Sequence, residues 1–332
     1  MLFLCTLLHL TVDGVCGAAL ASYAVNEPDF GNIVFYFHLY SLIAFGFQWL
    51  AGWALDKKMN WIMPGLVLVP VLLGLGTMPV FGILSQAVLL GVGNCVFHAA
   101  AGALILRRWS SYTEPGIFVS SGAIGLGLGI NMICGAAFFL CACAAATAAL
   151  IFCKLCGVSS EIERAGARGE GTGTAASFIT AAAAALLLLC VTLRGFGGGV
   201  SGHAMLLPCV FAAGKALGGI CCDAIGFRRT AALIFIMSFA ALELPHLPVC
   251  AAWTWIPAAL SAFSSNMTMP LTLRLLHRCR PSNPGLMFGL AAGCLLPGAF
   301  WRESFTVMPQ IMIVVQFLSL FAAETVISRR GA

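Results

Sequence analysis

The sequence is dominated by long apolar stretches, and these constrain the fold more than any other feature. A membrane-spanning helix needs roughly 20 mainly apolar residues. Segments of about this size recur at residues 2–24, 31–54, 61–78, 80–104, 115–133, 135–153, 175–195, 203–224, 229–245, 248–271, 284–301 and 306–327. Their apolar runs are continuous and do not alternate with period two, which favours helices over barrel strands. Only 9% of the residues are charged, whereas a soluble domain has about 25%. The sequence therefore predicts an all-α integral membrane protein with twelve transmembrane helices.

The distribution of basic residues predicts the orientation of these helices. Lys and Arg concentrate in cytoplasmic loops of membrane proteins. Of the 17 basic residues, only Arg194, Lys215 and Arg302 do not follow an even-numbered span. Those that do are Lys57, Lys58, Arg107, Arg108, Lys154, Arg164, Arg168, Arg228, Arg229, Arg274, Arg278, Arg280, Arg329 and Arg330. We therefore expect both termini to be cytoplasmic in a multi-pass protein of the cell membrane. The same bias accounts for the net charge of +5 without a nucleic-acid partner.

The chain divides near its midpoint into two similar halves. Residues 154–174 are polar and rich in glycine, which is typical of a flexible linker. Six predicted spans precede this linker, in residues 1–153, and six follow it, in residues 175–332. GWALDKK at 52–58 and GGICCDAIGFRR at 218–229 share a glycine four residues before an aspartate, at an offset of 167 residues. EPGIFVSSGAIGLGLG and NPGLMFGLAAGCLLPG, which begin the fifth span of each half, match at nearly the same offset. Such internal repeats are typical of secondary transporters.

The repeated aspartate motif resembles a known loop signature. Gly52, Asp56 and Lys57 in the first half are similar to the Gly-x-x-x-Asp-(Arg/Lys) motif of the major facilitator superfamily. The second copy is formed by Gly219, Asp223, Gly226, Arg228 and Arg229. In that superfamily the motif lies between the second and third spans and again between the eighth and ninth, where both copies fall here. The first copy continues as DKKMN, without the usual glycine and final arginine. GVGNCVFHAAAG at 91–102 further resembles the fosmidomycin-resistance-like branch and related small bacterial members.

The resemblance implies a major facilitator fold of two six-helix pseudo-repeats. It also implies alternating access, in which one half rocks against the other, and a latch at the aspartate motif that forms in one access state and breaks in another. Physically, an aspartate at the end of a span can accept hydrogen bonds from a neighbouring helix N-terminus and can pair with arginine. Arg107 or Arg108 is the expected partner of Asp56. Simple anchoring of the loop by its basic residues is the alternative interpretation.

Two pairs of polar residues are candidates for proton coupling or substrate binding. His9 and Asp13 are four residues apart and share one face of the first span, with Asp13 roughly 16 Å into the helix. Asn94 and His98 have the same spacing in the fourth span. By resemblance, spans 1, 4, 7 and 10 line the central cavity, so these four side chains could meet there. A static His–Asp pair and an ordinary interhelical hydrogen bond of His98 are the alternatives.

Fewer polar residues occur in the second half. Asn266 and Thr268 in the tenth span could contribute substrate contacts. Lys215 could attract an anionic group of the substrate or could neutralise Asp223, and we favour the second role. Arg194 is expected to extend its side chain from the outer end of the seventh span to the interface.

Two glycine pairs with GxxxG spacing predict close packing of helices. Gly125 and Gly129 lie in the fifth span, and Gly214 and Gly218 lie in the eighth.

Other functional classes have weaker support in the sequence. GVSGH at 199–203 and WR at 301–302 resemble rhomboid proteases, with Ser201 as nucleophile and His203 or His246 as base, but the duplication does not fit that fold. Cys153 and Cys156 form a single CxxC pair, whereas zinc sites normally have four ligands. A non-transporting receptor or scaffold on the same fold remains open.

The preferred hypothesis is therefore a transporter rather than an enzyme. No GxxxxGK[ST] sequence is present, so ATP is not expected to be the energy source. By resemblance, we expect proton-coupled export of a small organic solute by a monomer, with uptake of a small metabolite as the alternative. We expect no cofactor and no metal site. A polyvalent cation is not the expected substrate, because few exposed acidic residues line the predicted cavity.

Overall fold

The computed structural model describes residues 1–156, 178–196, 205–246, 255–301, 304 and 307–331. Throughout these ranges the regular secondary structure is helical, as the continuous apolar runs predict. The α-helices are α1 (Leu2–Asn26), α2 (Phe30–Ser41), α3 (Gln48–Lys57), α4 (Ile62–Gly76), α5 (Ile83–Arg108), α6 (Thr113–Ile130), α7 (Ala136–Leu155), α8 (Phe178–Phe196), α9 (Leu206–Ile225), α10 (Phe227–Glu243), α11 (Trp255–Cys279), α12 (Pro284–Gly293), α13 (Leu296–Trp301) and α14 (Pro309–Gly331).

The described part of the chain contains nine helical segments that are long and apolar enough to cross a membrane. Two of them join successive α-helices: Phe30–Lys57 runs from α2 into α3, and Pro284–Trp301 runs from α12 into α13. The segments that were predicted as spans five, nine and ten correspond to α6, α10 and α11, which are not among the nine. A multi-pass helical membrane protein is confirmed, and the number twelve stays a prediction.

Two predicted spans are irregular, each for a local reason. The second contains a π-helical segment, Leu42–Gly46, between α2 and α3. The eleventh is interrupted after Gly293, where α12 ends, and resumes at Leu296. Pro297 explains this break, because proline has no N–H and its ring clashes with the carbonyl four residues earlier, here that of Gly293.

The chain forms two compact units. The first comprises the described residues of Met1–Ser110, Ser121–Gly173 and Pro281–Gly293. The second comprises the described residues of Ser111–Ser120, Thr174–Arg280 and Cys294–Ala332. Relative to the predicted division into 1–153 and 175–332, the first unit thus includes α12 and the second unit includes the start of α6. The predicted linker lies outside the described residues from 157 onward, and the six-helix halves remain a prediction.

In the first unit, α1 and α5 are the most enclosed of the candidate spans. Leu8, Leu90, Phe97 and Phe139 are fully buried or nearly so and form part of its core. The predicted packing glycines Gly125 and Gly129 lie against α1, where added Cβ atoms would meet the backbone of Leu10 and of residues 14–18. The missing side chains therefore let α6 approach α1 closely.

In the second unit, α9 packs against α11 through the other predicted glycine pair. A Cβ on Gly214 would meet the backbone of Phe263, and one on Gly218 would meet the backbone of Met267. Such contact between helix backbones requires residues without side chains. The spacing of small residues thus locates a helix contact in each unit.

Candidate functional site

Four polar side chains of α1 and α5 converge inside the first unit. His9 Nε2 lies 3.2 Å from Asp13 Oδ2, and His98 Nε2 lies 2.9 Å from His9 Nε2 and 3.8 Å from Asp13 Oδ1. Asn94 Nδ2 donates to Asp13 Oδ1 at 3.0 Å. His9, Asn94 and His98 are buried, with 4%, 0% and 6% exposure, whereas Asp13 is half-buried. We call His9, Asp13, Asn94 and His98 the α1–α5 cluster; it consists of the four residues that the sequence proposed for this role.

The hydrogen bonds of His98 define its tautomer. Nδ1 lies 3.0 Å from the backbone carbonyl oxygen of Asn94, which can only accept. Nδ1 therefore carries a proton, and Nε2 of the neutral ring presents a lone pair to His9 and Asp13. The 2.9 Å separation of the two Nε2 atoms is a hydrogen-bond distance. When the His98 ring is neutral, the proton of this hydrogen bond must come from His9 Nε2.

One hydrogen-bond acceptor of the cluster has no partner among the described residues. Asn94 Oδ1 is buried and has no hydrogen-bond partner among the described residues. Gly122 of α6 faces the cluster, because a Cβ there would meet His9 Nε2 and Asp13 Oδ2. Cys16 and Tyr40 are the neighbouring titratable groups, and Asn94 Nδ2 lies 3.8 Å from Cys16 Sγ.

Chemically, the cluster can accept a positive charge. With both imidazoles neutral and Asp13 ionised, it carries one net negative charge, which a proton would cancel. His9, Asp13 and His98 also each offer one ligand atom, and these atoms lie within 4.8 Å of one another. Histidine nitrogen and carboxylate oxygen are ligands for divalent transition metals, and a ligating histidine commonly donates its other N–H to a backbone carbonyl, as His98 does. The expectation of no metal site stays a prediction, and the geometry of these three ligand atoms is compatible with a metal ion.

Asp56, near the end of α3, contacts the start of α12. Its two carboxylate oxygens accept hydrogen bonds from the backbone N–H groups of Gly285, at 3.0 Å, and Leu286, at 2.8 Å. Arg107 Nη2 lies 3.8 Å from Asp56 Oδ1, and the Asp56 side chain is only 1% exposed. The carboxylate thus caps a helix N-terminus, where negative charge is stabilising. These are the contacts that the sequence predicts for an aspartate in this motif.

Gly52 makes this approach possible. A Cβ on Gly52 would meet the backbone of Gly285 and Leu286, and a Cβ on Gly285 would in turn meet Gly52. Gly52 therefore lets α3 lie against the Pro-Gly start of α12. Asp56, four residues after Gly52, caps that same helix.

Asp223 repeats the arrangement in the second unit, at the start of α6. Its carboxylate accepts hydrogen bonds from the backbone N–H of Tyr112 at 3.1 Å and from the backbone N–H and hydroxyl of Thr113 at 2.8 and 2.6 Å. Gly219 lies against the backbone of Tyr112 and Thr113, and Gly116 lies against the carbonyl of Lys215. Burial raises the pKa of the Tyr112 hydroxyl to about 12, so it is neutral at physiological pH. Both copies of the motif therefore cap helices that have Pro-Gly in their first turn.

The basic residues of the motif, and Arg108 near it, lie in different surroundings. Lys57 Nζ lies 3.7 Å from the ring centre of Trp53, and the Arg108 guanidinium lies 4.8 Å from that of Trp109. Arg228 Nε lies 3.5 Å from Glu324 Oε2, and Arg229 is exposed. Gly226, with φ of 87°, adopts the left-handed conformation that separates α9 from α10.

The polar residues of the second unit are arranged around Arg194 rather than Lys215. Arg194 Nη1 donates to the hydroxyls of Thr268 and Thr272, both at 3.4 Å. Arg194 is buried, so the expectation that it extends to the interface is wrong. Lys215 is half-buried, and Asn266 Nδ2 donates to the Ala262 carbonyl of its own helix. The sequence signal for this site was the four-residue spacing of Thr268 and Thr272, opposite an arginine in an apolar run.

The alternative sites fall only partly within the described residues. Ser201 and His203 lie outside them, and His246 ends a short 3-10 helix. Cys153 and Cys156 are free cysteines at the end of α7.

Comparisons with known proteins identify the fold. No protein-family model and no curated protein sequence matches the chain. Among solved structures, the chain is similar to the crystal structure of a bacterial homologue of the iron transporter ferroportin, in an outward-facing state with soaked iron. The TM-score is 0.56 at 13% sequence identity, and the match covers 100% of this chain and 99% of that chain. That neighbour has the major facilitator fold and belongs to a non-enzyme class. The chain is thus a multi-pass helical membrane protein whose fold is similar to that of this neighbour.

Proposed function

We propose that the chain is a secondary active transporter that exports a small organic solute by alternating access and uses a proton as coupling ion. The observation that supports this most directly is the α1–α5 cluster. An ionisable group inside a membrane protein is costly to bury and is therefore usually functional. The cluster contains two histidines and a carboxylate in hydrogen-bond contact, and histidine is the side chain whose charge changes near neutral pH. The transporter fold supplies the context for such a group.

Proton uptake is assigned to the whole cluster rather than to one residue. Asp13 faces His9 on its own helix and Asn94 and His98 on α5, with Gly122 on α6 and the titratable Cys16 and Tyr40 nearby. Groups that interact this closely titrate as a set. Protonation removes the negative charge of the cluster. If the solute binds in only one protonation state, the movement of the solute is coupled to the movement of the proton.

The motif aspartates are proposed to act as latches. Asp56 and Asp223 hold the first turns of α12 and α6 through backbone N–H groups. A conformational change that moves either helix start away from its aspartate must break these bonds. Each latch is therefore proposed to favour the access state in which its bonds are made.

The positions of the basic residues support a proposed orientation in the cell membrane with both termini cytoplasmic. A fluorescent protein fused after Ala332 should then fluoresce, whereas alkaline phosphatase at the same place should be inactive. We further propose that a monomer transports. The likeness to the fosmidomycin-resistance-like branch is proposed from residues 91–102 alone.

The experiment that tests this function is transport in liposomes. Purified protein is reconstituted, a pH gradient is imposed in either direction, and lumenal pH is followed while pools of small metabolites and drugs are added. We expect at least one pool to cause proton movement that Asp13→Asn abolishes, because the amide cannot ionise. Asp29→Asn, which replaces an exposed capping carboxylate at α2, is the matched control and should behave as wild type. Solute-dependent proton movement that persists in Asp13→Asn would remove the cluster from the mechanism.

A second candidate function is transport of a divalent transition-metal cation, with the cation as substrate at the same cluster. It is favoured by the three ligand atoms of His9, Asp13 and His98 and by the lone pair of His98 Nε2. The structural neighbour, described as a homologue of an iron transporter, has the same fold. Calorimetric titration with Mn²⁺ and Co²⁺ tests it. Binding that is lost in His98→Gln and retained in His246→Gln would favour the cation, and an absence of binding to wild type would contradict it.

A further inference from the structure

Arg194 is a buried cation whose hydrogen-bond partners among the described residues are all neutral. It lies near the end of α8 and is 8% exposed. Its recorded hydrogen bonds use only Nη1, which donates to Thr268 and Thr272 of α11 at 3.4 Å. Among the described residues, no carboxylate lies within ion-pair distance of this guanidinium. The neutral thiols of Cys190 and Cys294 lie near it.

The two threonines are oriented to accept rather than to donate. The Thr268 hydroxyl donates to the Ser265 carbonyl at 2.7 Å, and the Thr272 hydroxyl donates to the Met269 carbonyl at 2.9 Å. Each hydroxyl has one proton, so only lone pairs remain for Arg194. Two neutral acceptors at 3.4 Å do not offset the burial of a full positive charge, which normally requires an anion.

The unused donors of Arg194 have a defined geometry. A guanidinium presents five N–H groups in a rigid planar fork, and the parallel pair on Nε and Nη2 matches two oxygens of a carboxylate or phosphate. This pair has no hydrogen-bond partner in the part of the chain that the structure describes.

We propose that Arg194, supported by Thr268 and Thr272, binds the oxyanion group of a small organic acid or organophosphate, which is the transported solute. The naming of this ligand as the solute rests on the proposed transport function, whereas its binding does not. Lys would supply charge at this position but not the bidentate fork. The proposal therefore predicts a requirement for arginine itself.

The test measures binding without transport. Wild type is placed in nanodiscs of phosphatidylcholine alone, and its thermal unfolding is followed with acetate, succinate, citrate, glycerol 3-phosphate and inorganic phosphate, each against chloride at equal ionic strength. We expect at least one probe to raise the melting temperature above chloride. Calorimetry of that probe should show at least a tenfold weaker Kd in Arg194→Lys and no binding in Arg194→Gln. Thr192→Val is the matched control, because Thr192 is on the same helix and donates to the Leu188 carbonyl instead.

Several results would overturn the proposal. One is that no probe raises the melting temperature of wild type. Another is that Arg194→Gln binds the probe with unchanged affinity. If Arg194→Gln does not fold, the double variant Thr268→Val/Thr272→Val takes its place. Unchanged affinity for the probe in both the double variant and Arg194→Lys would then overturn the proposal. Loss of probe binding when phosphatidylglycerol is added, together with stabilisation by that lipid in wild type but not in Arg194→Lys, would assign the site to a lipid headgroup. If Asp13→Asn still binds the probe and wild type shows no proton-coupled transport, the proposed transport function is contradicted. The oxyanion site at Arg194 is then retained.

Discussion

At the scale of single residues, the sequence predicted which side chains of the first unit would meet but not how they are held. The four-residue spacings of His9–Asp13 and Asn94–His98 place each pair on one helix face, and the family resemblance supplied the meeting of the two helices. The tautomer of His98 depends on the carbonyl of Asn94, which has no sequence signature. The partners of Arg194 were also missed, because one sequence does not show which helices are neighbours.

Gly122 is the residue whose change most selectively tests the cluster. In Gly122→Ala, the new methyl group would meet His9 Nε2 and Asp13 Oδ2, so one of these side chains must move. We expect solute-dependent proton movement in liposomes to fall at least tenfold, because a loss of about 1.4 kcal/mol in the coupled state corresponds to that factor. The melting temperature should change little, since both displaced groups are side-chain ends.

Gly135→Ala is the control for this prediction, because a Cβ there has nothing within 4 Å. Proton movement in Gly122→Ala equal to that in Gly135→Ala would show that the geometry of His9 and Asp13 is not required.

At the scale of helices, the structure links two repeats that the sequence showed separately. The Gly-x-x-x-Asp motif and the Pro-Gly helix starts recur at nearly the same offset, and the structure brings each motif against one of these starts. The partner of Asp56 is on α12 and that of Asp223 is on α6, so each motif meets a helix from the other half of the sequence. Spacing alone could not predict this exchange, because contact between distant segments depends on the tertiary fold.

The cap at α12 should respond to the charge of Asp56. In Asp56→Asn, a neutral oxygen replaces a carboxylate that accepts two backbone hydrogen bonds, and such a change at a helix N-terminus costs about 1 kcal/mol. Hydrogen–deuterium exchange of a peptide covering residues 284–290 should then be about fivefold faster. Asp223→Asn should act in the same way on residues 112–118.

The matched control for these variants is Asp29→Asn, which removes a cap from α2 through the backbone N–H of Gly31. It should affect exchange near residue 31 and leave α12 and α6 unchanged. Exchange in α12 that is the same in Asp56→Asn and wild type would contradict the latch.

At the scale of the whole molecule, composition predicts a helical membrane protein. It does not predict the number of spans or the bounds of the compact units. A charged fraction of 9% excludes a water-facing surface, and the helical membrane protein follows from it. The exact number of spans does not follow, because Pro297 divides one apolar run and the described helices α6, α10 and α11 are less apolar or shorter than the others. The compact units also differ from the predicted halves in α12 and the start of α6.

The central claim is that the α1–α5 cluster couples proton movement to solute movement. The most direct measurement is uphill accumulation: an identified solute is placed at equal concentration on both sides of the liposome membrane, and a pH gradient is imposed. We predict net accumulation on one side, reversed when the gradient is reversed and absent in Asp13→Asn, which should still allow exchange. If wild type leaves the solute at equal concentrations under both gradients, or Asp13→Asn accumulates it as wild type does, the claim is contradicted.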